Sequence, residues 1–303
     1  MPRDNDIAQP LPNWPAAVTT LADVAAIDAL AARAKTPCGE GDMVWRIWGL
    51  PDARPPLLLL HGGSGSWTHW VRNLAALVAT GRQVFVPDLP GFGESATPPS
   101  GGDADALPPI LETGIARLVG DRPIDVVGFS FGALTGGLWA ADHPDRISHL
   151  VLSGAPSLST QTLPALDLRP WTSAPAGPER DAIHRHNLLA LMLAREDSVD
   201  ALAIALHGAN LLCDRMRSRR ISRTDILRQK LPAYRCALSG IWGAEDILYR
   251  HRRPVVGEAL ARAPRFRSLA MIPGAGHWVA YEAHAEFDRA LLRALDDDRD
   301  RTD

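Results

Sequence analysis

The sequence predicts an α/β fold: a mostly parallel central sheet flanked by helices, with a helical cap inserted late in the chain. Three observations predict it. From about Met43 onward, short apolar runs alternate with amphipathic stretches of helical period, the pattern of strand, helix, strand repeated with a buried sheet between helical layers. The runs end in Gly, Pro and Asp, as in "PLLLLHG" and "QVFVPD", residues that punctuate strands. The alternation is interrupted once, from about Ser157 to Leu231, where helical patterns continue with no strand between them.

Taken in order, strands are expected at 43–49, 56–62, 83–88, 124–129, 148–154, 235–243 and 266–274. Helical patterns separate most of them, such as "THWVRNLAALVATG" ending at Gly81 and "GALTGGLWAADHP" stopping before Pro144, since glycine and proline end helices. Within the interruption, "LPALDLRPWTSAPAGPERD" reads as a proline-rich linker and "HNLLALMLAREDSVDALAIALHGANLLCDRM" as two or more apolar helices. Such an insertion between sheet strands is most simply a cap over the carboxyl edge, where open α/β sheets bind ligands. The expected organisation is an N-terminal arm and start of the core (1–42), a first part of the core domain (43–156), the helical cap (157–232), a second part of the core domain (233–296) and a disordered acidic tail (297–303). The first 20 or so residues read as a loose arm.

Composition narrows the function classes. With 303 residues and 46% hydrophobic content, the chain can bury a sizeable core. A formal net charge of −3 with dispersed Lys and Arg gives no footprint for nucleic acid. One local exception, "RMRSRRISR" (Arg215–Arg223), lies in a helical-looking region and reads either as a solvated helix end or as a site for an anion or partner. Cys38, Cys213 and Cys236 are odd in number and widely spaced, which points to three buried thiols rather than to a disulfide framework or a zinc site. The N-terminus lacks a secretory pattern and no apolar stretch is long enough to span a bilayer. A soluble, cytoplasmic protein is expected, acting on a small molecule without nucleic acid or membrane, with a homodimer left open as an assembly.

Chemistry concentrates at "G-F-S-F-G", Gly128–Gly132, between the strand "IDVV" and the helix "ALTGGLWAA". This matches the G-x-S-x-G elbow, in which a serine occupies a strained strand-to-helix turn and the flanking glycines remove clashing side chains. The corner exposes Ser130 Oγ, and the N–H of Phe131 opens the next helix where an oxyanion would form. A serine hydroxyl needs an imidazole to take its proton and a carboxylate to hold that imidazole. "IWGAEDILY" offers Asp246, with Glu245 as the neighbouring alternative, and "IPGAGHWVAYE" offers His277, each in a loop after a strand. The other histidines considered, His143, His149, His184, His186, His251 and His284, read as surface or satisfied groups. Gly63, in the glycine-rich turn of "LLLLHGGSGSW", is the expected second oxyanion donor. A dinucleotide fingerprint built from that turn and Asp88 fails, because Trp67 and Thr68 stand where close backbone approach is needed.

In order and at ordinary spacing, "LLLLHGG", "VPDLPGFGES", "VVGFSFGA", "IWGAED" and "IPGAGHW" resemble the successive signatures of the α/β-hydrolase superfamily, over about residues 43–295. The resemblance implies the α/β-hydrolase fold, a triad of Ser130, Asp246 and His277, an oxyanion hole of Gly63 and Phe131, a structural Asp88, and no metal or organic cofactor. Serine at the elbow, and Ser64 where a proline would follow H-G-x, separate the chain from haloalkane dehalogenases and epoxide hydrolases. Gly62–Gly63 and His277–Trp278 most resemble the meta-cleavage-product hydrolases, beside carboxylesterase-type members. Yet Phe129 stands where that branch usually has an amide, His69 where it has an asparagine, and its cap arginine has no clear counterpart, although Arg215 or Arg217 could approach. A desolvated dianionic substrate needs paired donors. Ester hydrolysis on a small, largely apolar acyl or aryl substrate is therefore the expectation. The alternatives are carbon–carbon bond hydrolysis, a cofactor-free oxygenase or haloperoxidase-like activity, and a non-catalytic ligand-binding role. His69, Phe129, His207, Asn210 and Trp278 are the expected substrate contacts, under an apolar cap that includes Leu188, Leu189 and Leu202.

Overall fold

Residues 13–99, 102–160, 164–216 and 218–296 are described by a computed structural model of the chain. The expected acidic tail, the start of the arm and Arg217 lie outside these residues. Eight strands form one sheet: β1 (Ala32–Cys38), β2 (Gly41–Trp48), β3 (Leu57–Leu60), β4 (Val84–Pro87), β5 (Ile124–Phe129), β6 (Ile147–Ser153), β7 (Ala237–Gly243) and β8 (Phe266–Ile272), in the order β1-β2-β4-β3-β5-β6-β7-β8. β2 runs antiparallel to β1 and β4, and the remaining pairs are parallel.

The central strands are wholly buried runs, such as Leu57–Leu60 and Ile124–Phe129, because helices cover both faces. On one face, α3 (Pro108–Val119), α4 (Phe131–Asp142) and α8 (Pro254–Leu260) send Leu111, Leu134, Trp139 and Leu260 onto the sheet. On the other, α1 (Leu21–Ala29), α2 (Leu74–Ala79) and α10 (His284–Asp296) contribute Ile27, Leu74, Leu77, Phe287 and Leu291. Each fully buried side chain of this size stabilises the fold by about 1.5–3 kcal/mol.

Between β6 and β7 the described residues hold no strand. They form α5 (Pro178–Asn187), a π-helical turn Leu188–Met192, α6 (Ala201–Leu212) and α7 (Ile226–Lys230). The short α9 (Val279–Glu282) follows β8. Among its described residues the basic run 215–223 is not helical as expected: they hold no regular structure before a short 3₁₀ turn at Ile221–Arg223. Arg215 explains this, since its N–H donates to Gly91 O (2.8 Å) and its guanidinium to the carbonyls of Gly93 and Ser95, bonds across the chain that replace intrahelical ones. Likewise the helix expected from Thr68 is divided into a 3₁₀ turn, Trp67–Trp70, and α2; Trp67 packs on Trp48 and Trp70 on Phe287, anchoring the two halves separately. Cys213 is half-exposed rather than buried, whereas Cys38 and Cys236 are buried, and none of the three forms a disulfide. No described helix is long and apolar enough to cross a membrane.

Register decides where the loops meet. Leu60 pairs with Gly128, Phe129 with Ser153, Ser153 with Ile241 and Gly243 with Ile272. The carboxyl ends of five neighbouring strands therefore lie side by side, and the loops at 61–66, 130, 154, 244–246 and 274–277 leave the sheet at one edge.

Candidate active site

At that edge, Ser130 follows β5 directly and adopts φ 50°, ψ −111°, the strained left-handed half of conformational space that non-glycine residues rarely occupy. The neighbouring glycines make the corner sterically passable: a Cβ on Gly128 would stand 2.5 Å from the Ala133 Cα, and one on Gly132 would collide with the carbonyls of Leu60 and His61. The Ser130 N–H donates to Ser153 O (2.8 Å), pinning the corner to the next strand. Phe131 begins α4, so its N–H is among those at a helix start that have no intrahelical acceptor.

The structure brings Ser130, His277 and Asp246 together. Ser130 Oγ lies 2.9 Å from His277 Nε2, and His277 Nδ1 lies 2.9 Å from Asp246 Oδ2. Both the imidazole and the carboxylate are buried. The carboxylate can only accept, so Nδ1 carries the proton and Nε2 is left to accept from the serine hydroxyl. The second Asp246 oxygen accepts from the Leu248 N–H (2.9 Å). Glu245 turns outward to Arg253 (3.4 Å). Beyond the carboxylate, burial and the nearby Asp246 push the Tyr249 phenol up, and its O–H donates to Ala155 O (2.9 Å). Gly154, at φ 56°, makes room for the imidazole, since a Cβ there would stand 2.9 Å from His277 Cε1. A hydroxyl, an imidazole and a carboxylate in this relay can deliver a serine alkoxide equivalent to a bound electrophile.

Opposite the corner runs the turn Gly62–Ser66. The Gly62 N–H donates to His69 Nδ1 (3.2 Å), which leaves His69 Nε2 as the ring nitrogen without a protein partner among the described residues. Burial first, then His61, His207 and His277, hold the His69 pKa well below the usual imidazole value, so the ring is a neutral Nε2–H donor at pH 7. It packs between Phe129 (5.5 Å) and Trp278 (4.7 Å), and the Trp278 indole N–H donates to His69 O (3.0 Å). Phe129 also lies 5.1 Å from the His277 ring. His69, Phe129 and Trp278 thus form one aromatic wall beside the relay.

The remaining expected contacts sit on α6. Asn210 is engaged by the Ser66–Thr68 turn, accepting from Ser66 Oγ (2.8 Å) and donating to Thr68 Oγ1 (3.1 Å). His207 lies edge-on to His184 (5.3 Å), and its Nε2 is buried without a partner among the described residues. Burial, then His184, push its pKa down to about 4, so it is neutral. His61 is structural: Nδ1 bonds Gly62 O and Nε2 accepts from the Leu89 N–H, both at 2.8 Å. Asp88 is spent on the N–H groups of Trp67 (2.9 Å) and Glu94 (3.0 Å) and on Arg46 (3.2 Å).

Sequence reasoning missed Asp214 and Arg219. Arg219 donates to Ser64 Oγ (3.0 Å) and pairs with Asp214, which also accepts from Ser64 Oγ (2.6 Å). The basic run was a signal, but nothing in it tells which arginine crosses to a turn some 150 positions away. No group of three or more His, Cys, Asp or Glu among the described residues is arranged to hold a metal.

Known proteins share the fold that carries this geometry. A family model described as alpha/beta hydrolase fold matches residues 55–238, more than half of the chain. A 2-hydroxy-6-oxononadienedioate/2-hydroxy-6-oxononatrienedioate hydrolase of Comamonas testosteroni is 23% identical over 258 residues, 79% of this chain and 87% of that protein. Several other curated relatives match over about half of their own length or less. Among solved structures, a Bacillus subtilis carboxylesterase superposes with a TM-score of 0.72 at 15% identity, covering 88% of this chain and 91% of that one. A meta-cleavage product hydrolase from Pseudomonas fluorescens superposes at 0.68 and 21% identity, covering 84% and 94%. At these identities the structural likeness shows the fold.

Proposed function

The chain belongs to the α/β hydrolase family, and from that premise we propose that it is a serine hydrolase acting on a carboxylic ester of a small, largely apolar acyl or aryl substrate. The observation that carries the reading is the relay at the strained corner, with 2.9 Å from Ser130 Oγ to His277 Nε2 and 2.9 Å from His277 Nδ1 to Asp246.

In the proposed reaction, Ser130 Oγ attacks the ester carbonyl carbon while its proton passes to His277 Nε2. Asp246 stabilises the imidazolium without taking its proton. The carbonyl oxygen becomes an oxyanion, held by the N–H groups of Gly63 and Phe131. His277 then protonates the departing alcohol, leaving an acyl-serine. Water, deprotonated by the same imidazole, releases the acid and restores the hydroxyl. The steps need no metal or organic cofactor. The helical insertion serves as the cap, and the wall of His69, Phe129 and Trp278 takes the apolar part of the substrate, with His69 Nε2–H as its one polar handle. His207 and Asn210 stand farther back on α6, Asn210 holding the cap to the turn at Ser66.

Carbon–carbon bond hydrolysis is the second reading, favoured by the Comamonas testosteroni relative. The cation beside the Gly62–Ser66 turn weighs against it: Arg219 is already paired with Asp214, so a substrate carboxylate would have to compete with a carboxylate in place. A panel of aryl esters run beside a vinylogous 1,5-diketone dienoate separates the two. Turnover of the esters with the dienoate at least about 100-fold slower in kcat/KM, a gap of about 2.7 kcal/mol in transition-state stabilisation, is the expected outcome; the reverse ranking would replace the ester assignment.

A further inference from the structure

We propose that Asp214 and Arg219, which follow α6, are positioning residues that clamp the Gly63–Ser64 turn so that the Gly63 N–H faces the forming oxyanion. The proposal rests on the serine-hydrolase reading above and adds a component of the machinery that lies outside the relay.

The turn has a conformation that something must hold. Ser64 sits at φ 49°, in the left-handed region that disfavours side chains other than glycine. Its hydroxyl is held on both counts available to it, donating to Asp214 Oδ2 (2.6 Å) and accepting from Arg219 (3.0 Å). The two holders are themselves ion-paired. Arg219 reaches both turns expected to supply oxyanion donors: its guanidinium would stand 3.2 Å from a Cβ on Gly63, and it lies over the rings of Phe92 (5.5 Å) and Phe131 (6.0 Å).

The segment that carries the pair is anchored in turn. The Arg215 N–H donates to Gly91 O (2.8 Å), its guanidinium donates to Ser95 O (2.5 Å), and the Met216 N–H caps back onto Asp214 Oδ1 (3.1 Å). From the opposite side, His69 takes the Gly62 N–H. The turn is therefore gripped on two flanks, at Gly62 and at Ser64, and the peptide between them presents Gly63. Since an oxyanion donor acts only within about 2.7–3.1 Å of where the charge develops, a turn free to relax would lose transition-state stabilisation while leaving the substrate's apolar contacts intact. Asp214 neutralises Arg219, so the pair works through geometry rather than through added charge.

The test is steady-state kinetics on an aryl ester that the wild type hydrolyses, with Asp214→Ala, Asp214→Asn, Arg219→Gln and Ser64→Ala, each checked for folding by thermal unfolding. Affinity for a trifluoromethyl ketone, which forms the oxyanion on the enzyme, is measured beside affinity for the corresponding uncharged amide. Asp214→Ala and Arg219→Gln are expected to lower kcat about 10- to 100-fold, to change KM less than about two-fold, and to weaken the ketone in parallel with kcat while sparing the amide. Asp214→Asn, which still accepts from Ser64, is expected to recover part of the loss. Should Asp214→Ala not fold, Ser64→Ala carries the same expectation. Unchanged kcat in the folded variants, or a rise in KM with ketone affinity intact, would overturn the positioning role. A wild type with neither turnover nor labelling at Ser130 would instead overturn the serine-hydrolase reading beneath it.

Discussion

The residues of this site differ in how they reach it, and that governs what their replacement should do. Gly154 contributes only space, because its φ of 56° and the 2.9 Å gap from a built Cβ to His277 Cε1 leave none to spare. Gly154→Ala is expected to push the imidazole off Ser130 and lower kcat by at least about ten-fold, since small misplacements of a reacting group are costly; kcat on an aryl ester checks it. Asp288 offers a test by pH. It is buried, and burial pushes its pKa up to about 7, against the pull of the Asn73 amide (2.8 Å) and of Arg289. A carboxyl raised from about 4 binds its proton more tightly in the native state. Its contribution is fully present below about pH 4 and is lost as pH rises through about 7. Asp288→Asn should therefore raise Tm at pH 8, leave it little changed at pH 4, and flatten the slope between, as read by thermal unfolding across that range. Ser130, His277 and Asp246 were legible from sequence because each sits in a motif whose residue types the chemistry demands. Asp214 and Arg219 were not, because a hydrogen bond from Ser64 across 150 positions leaves no local pattern.

At the scale of elements, the loop that carries His277 is tied to the helical insertion rather than to the sheet alone. Glu282 on α9 accepts from the Gly276 N–H (2.6 Å) and from the N–H groups of Ala194 and Arg195 (3.0 and 2.9 Å), and the Trp278 N–H donates to Met192 O (2.7 Å) in the π-helical turn. Glu282→Ala would strand the buried Gly276 N–H, a loss of about 1–3 kcal/mol. A lower urea midpoint with unchanged m-value is the expected reading, together with a fall in kcat because the imidazole loses its loop; Glu282→Gln should lie between. The parallel strands β3 to β7 were readable because burial on both faces makes them nearly continuous apolar runs. β1 was not: "ARAKTPC" is an antiparallel edge strand with charged residues and a proline, the composition that blunts edges and also hides them. α1 escaped too, although Thr20 and Asp23 form a capping box ahead of the buried Val24 and Ile27, a start signal that the sequence does carry. The basic run read as helix because spacing does not reveal bonds such as Arg215 to Gly91 O.

Across the whole molecule, two apolar layers enclose one sheet, and the register of the parallel strands delivers every component of the site to one edge. Ser130 comes from the end of β5, the Gly63 turn from β3, Asp246 from β7 and His277 from β8. No single element could assemble the relay, so the fold's contribution is to bring four loops within hydrogen-bond reach. The insertion meets that edge at two places, with the Trp278 N–H donating to Met192 O at the His277 loop and Arg219 donating to Ser64 Oγ at the Gly63–Ser64 turn. The proposed reaction requires that Ser130 be a nucleophile activated by this assembly. Its most direct measurement is labelling of the intact protein by a fluorophosphonate, with the modified residue mapped by mass spectrometry and Ser130→Ala run in parallel. One adduct per chain, located on Ser130 and absent from the variant, is the expected result; no adduct on the folded wild type, or equal labelling of Ser130→Ala, would contradict it.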